Sequence, residues 1–271
     1  MRFFTYALIL CTALLSLWFG GAVSAATNLP LTYDQIKGTG LANKCPEIQA
    51  SSRNRGMIPI AAGQTVTFSE MCLEPTSFFV KEEGGKKKKE KELVPGKLLT
   101  RATSSLDFVK GTITANPDGS LTLVEKEGLD YQPVTIQLPG GERVAILFTM
   151  KGYKATTQPG LNGITPSTDF EGETDVPTYR GANFLDPKGR GLAIGYDAAE
   201  ALPAKRDEFK ESTKDDRTYK GRLSLQVAKV NSETGEFAGT FECEQVSDTD
   251  LGAHEPEDVV IRGVFYGKVN I

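Results

Sequence analysis

Residues 222–245, RLSLQVAKVNSETGEFAGTFECEQ, decide the fold. Leu223, Leu225 and Val227 alternate with Arg222, Ser224 and Gln226, the period of two by which a strand puts one face in a core and the other in water. Asn231-Ser232-Glu233-Thr234-Gly235 then interrupts the pattern with residues that accept the positive φ of a tight β connection. Phe237, Gly239, Phe241 and Cys243 resume it on one face, so the segment reads as a hairpin. A further strand at 258–269 puts Val259, Ile261, Gly263 and Phe265 together on one side.

Outward from this hairpin the same alternation recurs at 65–73, 77–81, 107–115, 120–125, 133–138 and 143–150. Turn chemistry at 116–119 (NPDG) and 139–141 (PGG) separates neighbouring runs, and long apolar helical patterns are absent. The pattern predicts an all-β chain folded as an antiparallel barrel, because closing the sheet removes edges that would otherwise pair with other molecules. Phe237, Phe241 and Phe265 on inward faces predict a filled interior. The competing class is a secreted β-barrel that binds a small ligand inside, which a dry cavity of several hundred cubic ångströms would favour. Between 151 and 219 the alternation gives way to Pro, Gly, Thr and Asp. This stretch reads as a lobe inserted between two barrel strands, ending in a polar, partly helical part at 205–216. The run 81–92, with Lys86, Lys87, Lys88 and Lys89 at its centre, reads as a solvated loop tip.

Residues 1–26 carry a basic start at Arg2, an apolar run from 7 to 19 and a small-residue exit, the arrangement of a secretory signal peptide cleaved after Ala25 or Ala26. They lack the Arg-rich, Ser-rich amphipathic stretch of a plastid transit peptide. Losing Arg2 leaves 30 basic against 35 acidic residues, a formal net charge of −5. A nucleic-acid partner is not expected, since no basic surplus or basic stripe is present. With Cys11 in the leader, Cys45, Cys72 and Cys243 remain in an oxidising compartment. Closing Cys45 to Cys72 would stabilise the fold by roughly 3 to 4 kcal/mol in the chain-entropy picture. A metal site from the three thiols and His254 is the alternative, though it has no Cys-x-x-Cys pair. Cys243 shares the face of Phe237 and Phe241 and reads as a buried small apolar residue. A single histidine supplies neither a nucleophile–base arrangement nor a three-histidine metal site, so hydrolytic chemistry is not expected.

The stretch 183–203, NFLDPKGRGLAIGYDAAEALP, sets Asp186, Lys188, Arg190 and Asp197 among glycines and prolines, so these charges sit on loops, where recognition concentrates. Asp186 precedes Pro187 and is placed to start a turn, while Asp197 is placed to cap a helix at 198–202. This stretch agrees with a known family together with 31–46 (LTYDQIKGTGLANKCP), 131–138 (YQPVTIQL), Gly141-Glu142-Arg143, 167–170 (STDF), 250–256 (DLGAHEP) and 263–267 (GVFYG). On these strings, spread over nearly the whole mature chain, the sequence resembles the photosystem II manganese-stabilising protein family, the extrinsic subunits of the oxygen-evolving complex.

The resemblance implies an eight-stranded antiparallel β-barrel (57–150 and 218–271), an inserted loop-rich head lobe (151–217) and an extended N-terminal docking segment (27–56). It implies a non-enzymatic thylakoid-lumen protein, peripheral and not inserted in the membrane. Such a subunit caps a manganese-calcium cluster held by partner subunits and has no intrinsic cofactor. Its partners would be photosystem II core subunits and other extrinsic lumenal subunits, contacted by the head and by Thr32, Tyr33, Asp34 and Lys44. Cys45 and Cys72 match the family's disulfide, and Cys243 is an addition outside it. Protons released by water oxidation need carboxylates, a histidine and water to carry them away. The implied exit network uses Asp186, Asp248, Asp250, His254 and Glu255, with Arg180, Lys188 and Arg190 orienting carboxylates or docking. Thr249 departs from the denser acidic cluster expected there. Glu142 and His254 are positions the family can bring together as a weak calcium site, a poor one because calcium prefers six to eight oxygens.

Overall fold

The computed structural model describes residues 35, 43–48, 56–82, 91–100, 103–177, 183–185, 192–194, 218–248 and 255–270. The signal-peptide reading, the tip of the lysine-rich loop and the helical readings at 198–202 and 205–216 lie outside these residues. The chain divides into two compact units, 1–39 and 40–271, and of the first only Gln35 is described.

The second unit is built of strands in this order: β1 (Ile58–Pro59), β2 (Thr65–Glu82), β3 (Glu92–Leu98), β4 (Leu106–Ala115), β5 (Leu121–Leu129), β6 (Tyr131–Gln137), β7 (Arg143–Thr149) and β8 (Lys154–Thr156). Then follow β9 (Gly163–Ile164), β10 (Asp169–Pro177), β11 (Asn183–Leu185), β12 (Leu192–Ile194), β13 (Thr218–Asn231), β14 (Glu236–Val246) and β15 (Asp258–Lys268). Eight of them, β2, β4, β5, β8, β10, β13, β14 and β15, pair antiparallel in a ring that β15 closes against β2. The expected eight-stranded barrel is therefore present, and β1–β9 and β11–β12 are small antiparallel pairs outside it.

Three departures from the sequence reading have physical causes. The expected strands at 65–73 and 77–81 are one strand of 18 residues, β2, which register shifts against β4 and β15 allow to continue through Pro75. Its far half pairs with β3, whose Pro95 and Gly96 hide it from a pattern search. The barrel also takes in β8 and β10 from the stretch assigned to the inserted lobe. In β10, Phe170, Thr174 and Val176 are buried at period two, but Thr174 and the intervening Gly172 break the apolar signal. The chain leaves the ring at Pro177 and rejoins it at Thr218, a shorter insertion than 151–217.

Beyond the ring, β3, β6 and β7 extend the sheet as a flap whose last strand folds back on the barrel. Phe148 of β7 stacks on Phe241 of β14 with ring centroids 5.6 Å apart, and the Gln245 side-chain amide donates to the Leu147 carbonyl at 2.8 Å. The interior is solid. Phe237 and Phe265 meet edge to face at 6.0 Å, both buried. Their packing explains the glycines of β15, since the register sets Phe237 opposite Gly267 and Phe241 opposite Gly263. A Cβ at either glycine would lie 2.6 Å from the facing phenyl ring, so large and small residues alternate across the strands. Tyr153 is fully buried, its hydroxyl against the carbonyls of Phe170 and Leu223 at 2.9 and 3.1 Å. The interior holds side chains where a ligand-binding barrel would hold ligand.

Candidate functional site

A pair of buried acids lies where β5 turns into β6. Strand β5 carries Glu125, the chain turns at Asp130 into β6, and the turn between β7 and β8 brings Lys151 and Gly152 alongside. Glu125 and Asp130 are both buried, at 7% and 6% exposure. One Glu125 oxygen accepts the Gly152 N–H at 2.8 Å, and the other, Oε1, has no partner among the described residues. Asp130 faces the Lys151 ammonium at 3.4 Å, which also lies 5.5 Å from the centre of the Tyr131 ring. The Asp130 carbonyl takes the Met150 N–H at 2.9 Å and the Thr149 hydroxyl at 3.2 Å, so the turn is held by main-chain and side-chain bonds together.

Burial makes the ionised carboxylates costly. It is the main cause that pushes the Glu125 carboxyl up to about 7, with the Asp130 charge adding to it and the Gly152 N–H and Lys151 opposing. Burial also raises the Asp130 carboxyl, against the pull of Lys151. Both carboxyls are thus held toward the protonated form, and only Glu125 is carried as far as about 7. The sequence reading ended a strand at Glu125 and saw nothing in Asp130. Only an i, i+5 carboxylate pair across a turn hinted at it, and its burial depends on where β7 turns into β8.

Hydrogen bonds from the flap continue to β14. Gln245 accepts the Thr149 N–H at 3.4 Å and donates to Leu147, tying the flap to the barrel. Cys243 donates to the same amide oxygen at 3.5 Å and is fully buried, with burial pushing its thiol up to about 12, in line with the small-apolar reading. Beyond it, the Asp248 N–H donates to the Ala145 carbonyl at 2.8 Å, which ties the end of β14 to β7.

A second constellation holds the N-terminal segment. Cys45 and Cys72 form a disulfide with Cα atoms 5.6 Å apart, packed with Ile48 and Tyr266. Beside it the buried Glu74 carboxylate accepts from Lys44 Nζ and from the Cys45 N–H, the latter at 3.1 Å. That bond is the main reason the Lys44 ammonium is held above its ordinary value. The Asn43 side chain accepts the Ser104 N–H at 2.7 Å. Segment 43–48 is thus fastened to β2 and the chain before β4 by one covalent and three polar links.

The outer face of the ring carries a ladder of ion pairs. Arg222 meets Glu171 at 3.0 Å, Lys220 meets Asp175 at 2.6 Å, Arg262 meets Glu242 at 2.6 Å and Lys81 meets Glu244 at 2.9 Å. A groove of about 590 Å³ among these side chains is open to solvent and lined largely by charges, unlike the dry internal pocket of a small-ligand barrel.

Of the residues expected from sequence, the structure brings Lys44, Cys45 and Cys72 together at the N-terminal anchor and places Asp248 at the flap. Glu255 is exposed, as is Glu142, whose carbonyl accepts the Leu138 N–H at 2.8 Å. Thr32, Tyr33, Asp34, Arg180, Asp186, Lys188, Arg190, Asp197, Thr249, Asp250 and His254 lie outside the described residues. Among the described residues no three His, Cys, Asp or Glu side chains gather as metal ligands.

Fold and site together define a class: a closed barrel with a solid core, buried carboxyls at one end and an N-terminal strap stapled to its wall. The family model described as manganese-stabilising protein / photosystem II polypeptide matches residues 29–269, and the chain belongs to that family. It is 54% identical over 265 residues to the "Photosystem II extrinsic protein O" of Nostoc sp., covering 97% of this chain and 96% of that one. The protein of the same name from Thermosynechococcus vestitus is 54% identical over 264 residues, 97% of this chain and 95% of the relative. Against "Oxygen-evolving enhancer protein 1, chloroplastic" of Volvox carteri the identity is 48% over 243 residues, 89% of this chain and 79% of the relative.

Proposed function

We propose that the chain is an extrinsic subunit of photosystem II that stabilises the manganese cluster and is not an enzyme. In this reading it sits peripherally on the lumenal face of the thylakoid membrane after export. It caps the manganese-calcium cluster without ligating it and takes up protons released by water oxidation. The observation that carries the proton-handling part is the buried Glu125–Asp130 pair, in which Glu125, pushed up to about 7, can accept and return a proton near neutral pH beside the raised Asp130 carboxyl. Asp186, Asp248, Asp250, His254 and Glu255 extend that network toward the lumen, and Arg180, Lys188 and Arg190 dock on core subunits. Thr32, Tyr33, Asp34 and Lys44 form the N-terminal contact, and the strap at 43–48 supports it by fixing where that segment leaves the barrel. Glu142 and His254 make at most a weak calcium site.

Reconstitution tests the reading. The oxidised chain added to photosystem II core particles stripped of extrinsic subunits binds and restores oxygen evolution at low chloride. A correctly folded chain that neither binds nor restores activity refutes it.

A further inference from the structure

The most exposed large apolar side chain among the described residues is also one of the two non-glycine residues described with positive φ. Phe108 of β4 is 60% exposed and has φ +52°. The left-handed region crowds a Cβ against the following carbonyl, so a phenylalanine there costs stability that a glycine or asparagine would not. The backbone is built to hold it. Between Asp107, opposite Leu129, and Lys110, opposite Glu127, β4 carries one residue more than β5, a bulge. The Asp107 carboxylate accepts the Phe108 N–H at 2.8 Å. Gly128 lies so close on β5 that a Cβ there would stand 2.6 Å from the Phe108 carbonyl oxygen. The bulge has its own use, since it turns both Leu106 and Val109 into the core. That use explains the backbone but not the aromatic ring. Strain and solvent exposure both work against the free chain, so the ring's benefit lies outside it.

We infer that Phe108, with the neighbouring Leu129 at 36% exposure, is a docking anchor that inserts into an apolar pocket on a photosystem II polypeptide. This rests on the function proposed above. The knob stands beside the proton-holding end of the barrel. Leu129 precedes Asp130, whose carbonyl binds Met150, and the next residue, Lys151, accepts the Asp175 N–H at 2.7 Å, close to where β10 ends and the insertion begins. The collar selects a protein over a lipid surface. It consists of Asp107 and the Lys110–Glu127 ion pair at 3.0 Å, and so lacks the cationic surplus that draws a segment to anionic lipid. A pocket with an apolar floor and a polar, roughly neutral rim fits it.

The test uses variants whose effects on stability and binding have opposite signs. Phe108→Asn relieves the backbone, so its thermal unfolding midpoint equals or exceeds that of the unmodified chain. Its affinity for stripped core particles falls at least about tenfold. Phe108→Ala and Leu129→Ala also weaken binding, without loss of the barrel's circular dichroism. Affinities of both Phe108 variants within twofold of the unmodified chain overturn the inference. So does Phe108-dependent binding to galactolipid–phosphatidylglycerol vesicles with core binding unchanged, which would make the ring a lipid anchor. If the unmodified chain itself fails to bind, the photosystem II reading falls first and the anchor with it.

Discussion

Replacing Glu125 by Gln isolates the buried carboxyl at the barrel end. In the folded chain this group is held at about 7, against an ordinary 4.5. A difference of that size disfavours the ionised folded form by on the order of 3 kcal/mol. Between the two values the folded state binds more protons than the unfolded one, so stability falls as pH rises through this window and the penalty is complete above about 7. Glutamine keeps the oxygen that accepts the Gly152 N–H and carries no charge. The stability difference, variant minus unmodified chain, is therefore near zero at about pH 4 and climbs to roughly 2 to 3 kcal/mol in favour of the variant by pH 8. Urea unfolding followed by far-ultraviolet circular dichroism at a series of pH values measures it, since the only tryptophan, Trp18, precedes every barrel strand. Titrating groups not coupled to Glu125 cancel in the difference, and its coupling to Asp130 is part of what is measured. A difference that is flat across pH, or one favouring the unmodified chain at pH 8, refutes the claim that Glu125 is buried as a proton-holding acid.

Three other outcomes follow from the packing. Replacing both Cys45 and Cys72 by Ser opens the disulfide-closed loop and costs roughly 3 to 4 kcal/mol by urea unfolding, a loss that reducing the native chain should match. Phe237→Ala empties a fully buried site whose facing residue is Gly267, so little can collapse into the void, and a loss of roughly 3 to 5 kcal/mol is expected from the same assay. Cys243 is inert to thiol reagents at pH 8 in the native chain and reacts only as the barrel opens. Labelling at the rate of a free exposed thiol would contradict its burial.

How much of this was legible in sequence depended on whether a face was uniformly apolar. The β13–β14 hairpin and β15 could be read residue by residue, because the inward positions up to Cys243 and along β15 are apolar or glycine over long runs. Strand β10 could not, since Gly172 and Thr174 interrupt its inward face. Strand β3 was lost to Pro95 and Gly96, and β2 looked like two strands because Pro75 falls at its middle. At the site, the disulfide was legible through family resemblance. The Glu74 carboxylate that locks Lys44 and Cys45 beside it looked like one more surface acid.

The sequence by itself determined the strand-rich class, the hairpin loop at 231–235, the filled interior and the family, because these follow from local alternation, turn chemistry and strings of identity. Tertiary structure alone decided which acids are buried and which exposed apolar residue carries a strained backbone. Apart from their i, i+5 spacing across a turn, nothing local in sequence sets Glu125 and Asp130 apart from Glu127 and Asp258. They are buried because β7 turns into β8 above them. Alternation with Val109, Ile113 and Ala115 already sets Phe108 on the outer face, but its left-handed backbone comes from the extra residue in β4 that also buries Leu106, and pairing between strands is a property of the whole sheet.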